Sequence, residues 1–110
     1  MKFIIPPQFQ MGARTFRVRI NDKLLKELNF KGQLVDREEL VRLSQRSPLS
    51  MFESLVHEML HEAHYLCGLD DATDAFEAKV IALSSFIAQG LVSLGIEPDF
   101  SLVPDEEDTE

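Results

Sequence analysis

His57 and His61 are separated by three residues, the first of which is Glu58, in the pattern H-E-x-x-H. If this segment is helical, the two imidazoles lie on one face about one turn apart and can bind the same metal ion. Glu58 lies about 100° further round the helix, where its carboxylate can take a proton from a metal-activated water without being a ligand. These residue types at this spacing predict a zinc-dependent hydrolase.

The segment around the motif has the periodicity of an amphipathic helix. At about 100° per residue, one wide arc is apolar and contains Phe52, Leu55, Val56, Met59, Leu60, Ala63, Leu66 and Cys67. The opposite arc carries the motif together with Glu62, His64 and Tyr65. Ser50 and Glu53 form a capping-box pattern at the start, and Gly68 suits the C-terminal end. We therefore predict a helix over 51–67 that packs its apolar arc on a core and turns the motif towards a cleft.

Two histidines leave a catalytic zinc site one protein ligand short, because such sites have three protein ligands and a water. Glu77 is the best candidate for the third ligand. It falls on the apolar arc of a second predicted helix, 74–94, where a carboxylate is costly unless it is paired or bound to a metal. Asp74 and Asp71 are the alternatives, and an Asp74-x-x-Glu77 capping box is the competing explanation for Glu77. Cys67 points into the apolar arc and is predicted to be a core residue.

His64 shares the face of the two motif histidines, but three ligands over two turns of one straight helix cannot close on one ion. His64 and Tyr65 are therefore candidates for residues that support the ligands or donate to an oxyanion. Simple exposure to solvent is the alternative explanation for His64.

Several segments together resemble a known family. The residues 52–63, the Gly68-Leu69 turn, the helix opening with Glu77 and the upstream Gly32-x-x-x-Asp36 hairpin are similar to small phage-type zinc metallopeptidase-like proteins, akin to ImmA/IrrE-type and SprT-like domains. The resemblance covers roughly residues 14–92. It implies that His57, His61 and Glu77 are zinc ligands and that Glu58 is the general base. The chain departs from the fuller pattern after Glu77, where Ala78-Lys79-Val80 follows.

The first half of the chain predicts strands. Residues 14–20 alternate basic and apolar with Phe16, Val18 and Ile20 inward, which indicates a half-buried strand. Residues 32–36 and 39–43 predict a hairpin, with 39–43 as the sheet edge on which a substrate strand could lie. Residues 23–30 suit either a helical turn or a strand. The fold class is therefore α+β, a minimal zincin-like domain over 1–103 with a small, mostly antiparallel sheet, the motif helix and a second helix.

The composition of the chain restricts its expected cellular location and its expected partners. No apolar stretch approaches the roughly 20 residues of a membrane span, and the single cysteine, Cys67, permits no internal disulfide, so we expect a cytoplasmic protein without a membrane partner. Ten of the eleven basic residues lie in 1–46 with five acids, whereas 47–110 hold fourteen acids and one base. We expect the protein's own acids to neutralise the basic half, which makes a nucleic-acid partner unlikely. The acidic tail, 104–110, is expected to be disordered.

The sequence therefore predicts a zinc metallopeptidase that acts on a protein or peptide substrate, with Zn²⁺ as its cofactor. Zinc would activate a water and Glu58 would accept the proton. The alternative is a catalytically silent zinc-binding module, of phage or prophage origin, that serves in interaction or regulation. Neither the substrate nor the oligomeric state follows from the sequence.

Overall fold

Six strands and three α-helices make up the residues that the computed structural model describes, 1–68 and 74–106. Their bounds in chain order are β1 Lys2–Ile4, β2 Gln8–Met11, β3 Arg14–Ile20, α1 Asp22–Leu28, β4 Gly32–Val35, β5 Leu40–Leu43, α2 Pro48–Leu66, α3 Asp74–Ser93 and β6 Glu97–Asp99. A short 3-10 turn, Asp36–Glu38, joins β4 to β5. The α+β class is confirmed, and the zincin-like part of the expectation stays a prediction.

The main sheet has the strand order β2-β3-β5-β4, and β1 pairs with β6 in a separate two-stranded sheet. The pairs β2–β3 and β4–β5 are antiparallel, but β3–β5 and β1–β6 are parallel. The separate β1–β6 sheet is parallel throughout. The main sheet is mixed: two of its pairs are antiparallel as expected, and the β3–β5 pair is parallel, which the sequence did not predict. The reason is the connection after β3, where α1 and β4 carry the chain back so that β5 runs beside β3 in the same direction.

The predicted hairpin is confirmed as β4 and β5, but the predicted edge is wrong. Strand β5 lies between β3 and β4, so the edges of the main sheet are β2 and β4. Leu40, Val41 and Leu43 are all buried, a continuous apolar run that suits a strand covered on both sides. The edge nearest the motif helix is β4, which contacts α2 directly.

The core lies between the main sheet and α2. Phe16, Val18 and Ile20 are buried as the alternation of β3 predicted, and they join Met51 and Phe52 in one cluster. The ambiguous segment 23–30 is resolved as the helix α1. Its N-cap is Asn21, whose side chain accepts from the backbone N–H of Leu24 at 3.1 Å.

The motif helix starts earlier than predicted. Ser47, not Ser50, is the N-cap, and its hydroxyl accepts from the backbone N–H of Ser50 at 3.3 Å. Pro48 then occupies the first helical position, which needs no N–H partner and favours the fixed φ of proline. The expected capping box of Ser50 and Glu53 is therefore wrong by one turn.

The end of α2 is close to its predicted position, with Gly68 in the left-handed region at φ +73°. Cys67, however, is exposed, so its prediction as a core residue is wrong. The last turn of the helix lies at the end of the sheet, where Leu66 meets Gly12 in the turn between β2 and β3 and is itself 44% exposed. Cys67 follows directly at this solvent-exposed end of α2.

Helix α3 packs against α2 through small side chains. Val80, Ser84 and Ala88 are buried, whereas Ile81 and Ile87 are exposed together with Leu83 and Phe86. Residues Ala75–Ser93 are long and apolar enough to cross a membrane by length and composition, with a mean hydropathy of 1.4. The statement that no stretch has this property is thus wrong for α3. In the fold, α3 packs one face against α2 and carries Glu77 to the histidines.

The start of the acidic tail is bound to the sheet rather than disordered. The backbone N–H of Ile20 donates to the carbonyl of Pro104 at 3.0 Å, and Asp105 forms a parallel bridge with Ile20. Glu106 makes an ion pair with Arg42 at 2.7 Å. The expected disorder is therefore wrong for 104–106, while 107–110 lie outside the described residues.

Candidate metal centre

The two motif histidines and Glu77 converge on one point between α2 and α3. The Nε2 atoms of His57 and His61 are 3.2 Å apart. The Glu77 carboxylate reaches both, with Oε1 at 3.0 Å from His57 Nε2 and Oε2 at 2.8 Å from His61 Nε2. One ligand atom from each residue lies within 4.8 Å of the others, so this cluster could hold a metal ion. The helical spacing and the second helix bring together the residues that the sequence predicted.

The donor set fits a small divalent ion. Tetrahedral ligands with bonds of about 2.0–2.1 Å stand roughly 3.3 Å apart. The observed separations of 2.8–3.2 Å are a few tenths of an ångström shorter, within the reach of small side-chain rotations. Two imidazoles and one carboxylate are three ligands, which leaves a fourth position for water or substrate.

The environment favours the form of His57 that can bind a metal. Burial lowers the pKa of His57 below its usual value of 6.5, and the nearby His61 acts in the same direction, while Glu77 opposes the shift. A neutral imidazole keeps its lone pair for a metal ion. His57 therefore stays neutral, and able to bind a metal ion, at a lower pH than an exposed histidine does.

Glu58 is buried beside the cluster and is not one of its ligands. Burial raises the pKa of Glu58 to about 7, with Glu77 adding to the shift and His61 opposing it. Gly32 of strand β4 lies against it, since a Cβ added at Gly32 would come within 3.3 Å of Glu58 Oε2. A carboxylate whose pKa is close to neutral can both accept and return a proton.

A cleft of about 520 Å³ opens over the site between α2, α3 and the loop before β4. Its walls include His57, Glu58 and Glu77, so the proposed base and two of the possible ligands face the same space. A molecule in this cleft would meet both the metal position and the Glu58 carboxylate. The predicted cleft is therefore present on the motif face of α2.

The two residues predicted to support the site lie away from the cleft. His64 packs against Phe76 with ring centroids 4.1 Å apart, and its Nδ1 is 3.2 Å from the carbonyl oxygen of Leu60. Tyr65 is exposed at 62% and does not line the cleft. The ring of Phe76 also contacts His61, at 5.6 Å between centroids, so Phe76 lies between His64 and the site.

The structure does not test the two alternatives for the third ligand, which stay predictions. Asp71 lies outside the described residues. Asp74 begins α3, and its side chain is likewise outside the description. Glu77 contacts both imidazoles, which is a sufficient explanation for a carboxylate at this position without the capping box.

A second group of charges, next to the motif, was missed by sequence reasoning. Glu62 was placed on the open face but is 1% exposed, and its Oε1 has no hydrogen-bond partner. Arg14 lies 3.5 Å from Glu62 Oε2 and 2.6 Å from Asp36 Oδ1. Burial raises the pKa of Glu62, the neighbouring Asp36 raises it further, and Arg14 opposes the shift. Arg14 has the same parity in β3 as Phe16, Val18 and Ile20, so it lies on the face that meets α2, but the alternation could not show that Glu62 would be its partner.

Comparison with known proteins gives no relative: no family model, no curated protein and no solved structure matches this chain. The resemblance to phage-type metallopeptidase-like proteins therefore stays a prediction from the motif residues.

Proposed function

We propose that the chain is a zinc-dependent metallopeptidase. The observation that carries this proposal is the position of Glu58, a buried carboxylate that lines the same cleft as His57 and Glu77 without binding at the metal position. A structural metal site needs ligands only, whereas a hydrolytic site also needs a base within reach of the attacking water. Imidazole and carboxylate ligands with an open fourth position favour zinc.

Each side chain has a separate role in this proposal. His57, His61 and Glu77 hold the ion, which when bound would polarise a substrate carbonyl and lower the pKa of water. Glu58 accepts the proton of the attacking water and returns it to the amine that leaves when the peptide bond breaks. Gly32 keeps the Glu58 carboxylate covered on the strand side, so that it faces the cleft.

The metal site is tested by metal analysis of protein purified without added metal and without a histidine tag. We expect about one zinc per chain for the parent, and a loss of at least tenfold in affinity for Glu77→Ala. Lys79→Ala, an exposed change on the same helix, is the matched control and should keep its zinc. Equal zinc affinity in Glu77→Ala and the control would remove Glu77 from the site.

The catalytic proposal is tested by Glu58→Gln in the zinc-loaded protein. This variant should retain zinc, and its rate of peptide hydrolysis should fall by about 10²-fold or more, the usual contribution of a general base. Glu27→Gln, on the exposed face of α1, makes the same chemical change away from the cleft and should leave the rate unchanged. Hydrolysis by Glu58→Gln at the parental rate would contradict the assignment of Glu58.

A catalytically silent zinc-binding module of phage or prophage origin is the second candidate. The observation in its favour is that His64 and Tyr65, the predicted oxyanion donors, do not line the cleft. Zinc at one per chain with no cleavage of any peptide would support this function and overturn the first.

A further inference from the structure

The cleft over the metal site adjoins a second cavity of about 620 Å³. The two cavities share a wall made of Asn29, Phe30, Lys31 and Arg46. Lys26 lines the second cavity, so three cationic side chains surround this junction. We call Lys26, Lys31 and Arg46 the cationic wall.

Some basic residues of the protein are held in ion pairs, in contrast to those of the cationic wall. Arg14 is paired with Asp36, Arg42 with Glu106 and Lys2 with Asp99. Within residues 1–68 and 74–106, the side chains of the cationic wall make no ion pair. These unpaired cations beside the site offer a local positive patch to a negatively charged ligand, on a chain whose net charge is −8.

Four acids line the two cavities and oppose this attraction: Asp22, Glu53, Glu58 and Glu77. Asp22 is turned to the backbone, since its Oδ1 accepts from the N–H of Gln45 at 2.5 Å. Glu53 lines the cleft together with Glu58 and Glu77, and the latter two are the proposed base and metal ligand. A bound divalent ion would offset the charge of Glu77 and leave the junction more positive.

The wall is held at a fixed position relative to the site by its backbone. The carbonyl of Lys31 accepts from the N–H of Ser44 at 3.2 Å, which continues the hairpin pairing beyond Gly32. Lys31 is thus next in the chain to the residue that covers Glu58. Phe30 is 50% exposed at the same junction and offers an apolar surface to whatever binds there.

We propose that the cationic wall binds an acidic side chain of a peptide substrate. This side chain lies close to the peptide bond that is attacked by the water from which Glu58 takes a proton. The preferred substrate is then a peptide with Asp or Glu within a few residues of the cleaved bond and an apolar neighbour for Phe30. This inference rests on the proposed peptidase function and adds its substrate class. The attraction acts through partly solvated charges, so it weakens as the ionic strength rises.

The first experiment digests a peptide library with the zinc-loaded protein and identifies the cleavage sites by mass spectrometry. Asp and Glu should be enriched near the cleaved bond, and replacing that Glu by Gln in a cleaved peptide should lower kcat/KM by about tenfold at low salt. The double charge reversal Lys31→Glu with Arg46→Glu should move the enrichment towards Lys and Arg. Arg37→Glu, an exposed reversal outside both cavities, is the control and should keep the parental preference.

The second experiment measures binding alone, by fluorescence anisotropy of labelled Glu and Gln versions of one peptide. Hydrolysis without a preference for acidic peptides would contradict the role proposed for the cationic wall, while the proposed peptidase function would still hold. Binding that favours the Glu peptide, is lost on charge reversal and occurs without hydrolysis would overturn the peptidase and support the wall. If neither hydrolysis nor a binding preference is found, both proposals are wrong.

Discussion

At the scale of single residues, the contact between Gly32 and Glu58 sets the position of the proposed base. A Cβ at Gly32 would lie 3.3 Å from Glu58 Oε2 and 3.4 Å from the carbonyl oxygen of Arg42. The backbone of Arg42 is fixed in the sheet, so the Glu58 carboxylate must move by a few tenths of an ångström in Gly32→Ala. Because small misplacements of catalytic groups are costly, we expect kcat/KM to fall about tenfold with zinc content unchanged.

The matched control for this substitution is Gly90→Ala. A Cβ at Gly90 meets nothing within 4 Å, and alanine in a helix interior is about 0.5–1 kcal/mol more favourable than glycine. Gly90→Ala should therefore raise the unfolding free energy slightly and leave the hydrolysis rate unchanged. Equal hydrolysis rates for the parent and Gly32→Ala would show that contact with residue 32 does not set the position of the Glu58 carboxylate.

The residue-scale prediction from sequence was good where the geometry is local. His57 and His61 face one point because four residues make about one helical turn, and Glu77 followed from a carboxylate on an apolar arc. The burial of Glu58 could not be predicted, because it depends on a strand that precedes it by 26 positions in the chain. The same is true of Glu62, whose partners Arg14 and Asp36 are distant in sequence.

At the scale of elements, Arg14 ties the motif helix α2 to the main sheet. It contacts buried Glu62 on α2, Asp36 in the turn between β4 and β5, and the ring of Phe16 at 5.0 Å. Arg14→Met would leave Glu62 buried without a cation, which costs about 2 kcal/mol of unfolding free energy. Chemical denaturation of the parent and the variant measures this difference.

A double-mutant cycle separates the pair from other effects of Arg14. In a Glu62→Gln background the charge to be neutralised is absent, so Arg14→Met should cost about 1 kcal/mol less than in the parent. Lys23→Met removes an exposed cation from α1 and should change stability by less than about 0.5 kcal/mol. Strictly additive effects of Arg14→Met and Glu62→Gln would show that the two side chains are not coupled.

Most helices and strands could be predicted from the sequence, but which strands pair with one another could not. Local sequence patterns predict three of these features: the alternation of β3, the hairpin and both long helices. The parallel pairing of β3 with β5 joins Arg17 to Leu40 across a crossover, and no local pattern encodes it. This pairing moved the free edge from β5 to β4, next to the cleft.

At the scale of the whole molecule, backbone pairing and an ion pair attach the start of the tail to the main sheet. Composition predicted disorder from 104, because the segment is acidic and polar. Arg42 and Asn21, which come from β5 and from the start of α1, provide the partners that composition does not reveal. Glu106 accepts from Arg42 Nε at 2.7 Å and Nη2 at 3.0 Å, a two-point contact that fixes the end of the described chain.

The Glu106–Arg42 pair makes the stability of the protein depend on pH in a defined direction. The hydrogen bonds from Arg42 lower the pKa of Glu106 below its usual value of 4.5, with burial opposing and Asn21 adding to the shift. The contribution is therefore fully present above about pH 4.5 and is lost as the pH falls through the lowered pKa. Glu106→Gln should cost about 1 kcal/mol at pH 7, and its difference from the parent should shrink towards pH 3. Urea denaturation across this range measures it, with the 75% exposed Glu97→Gln as control; a pH-independent difference would contradict the ion pair.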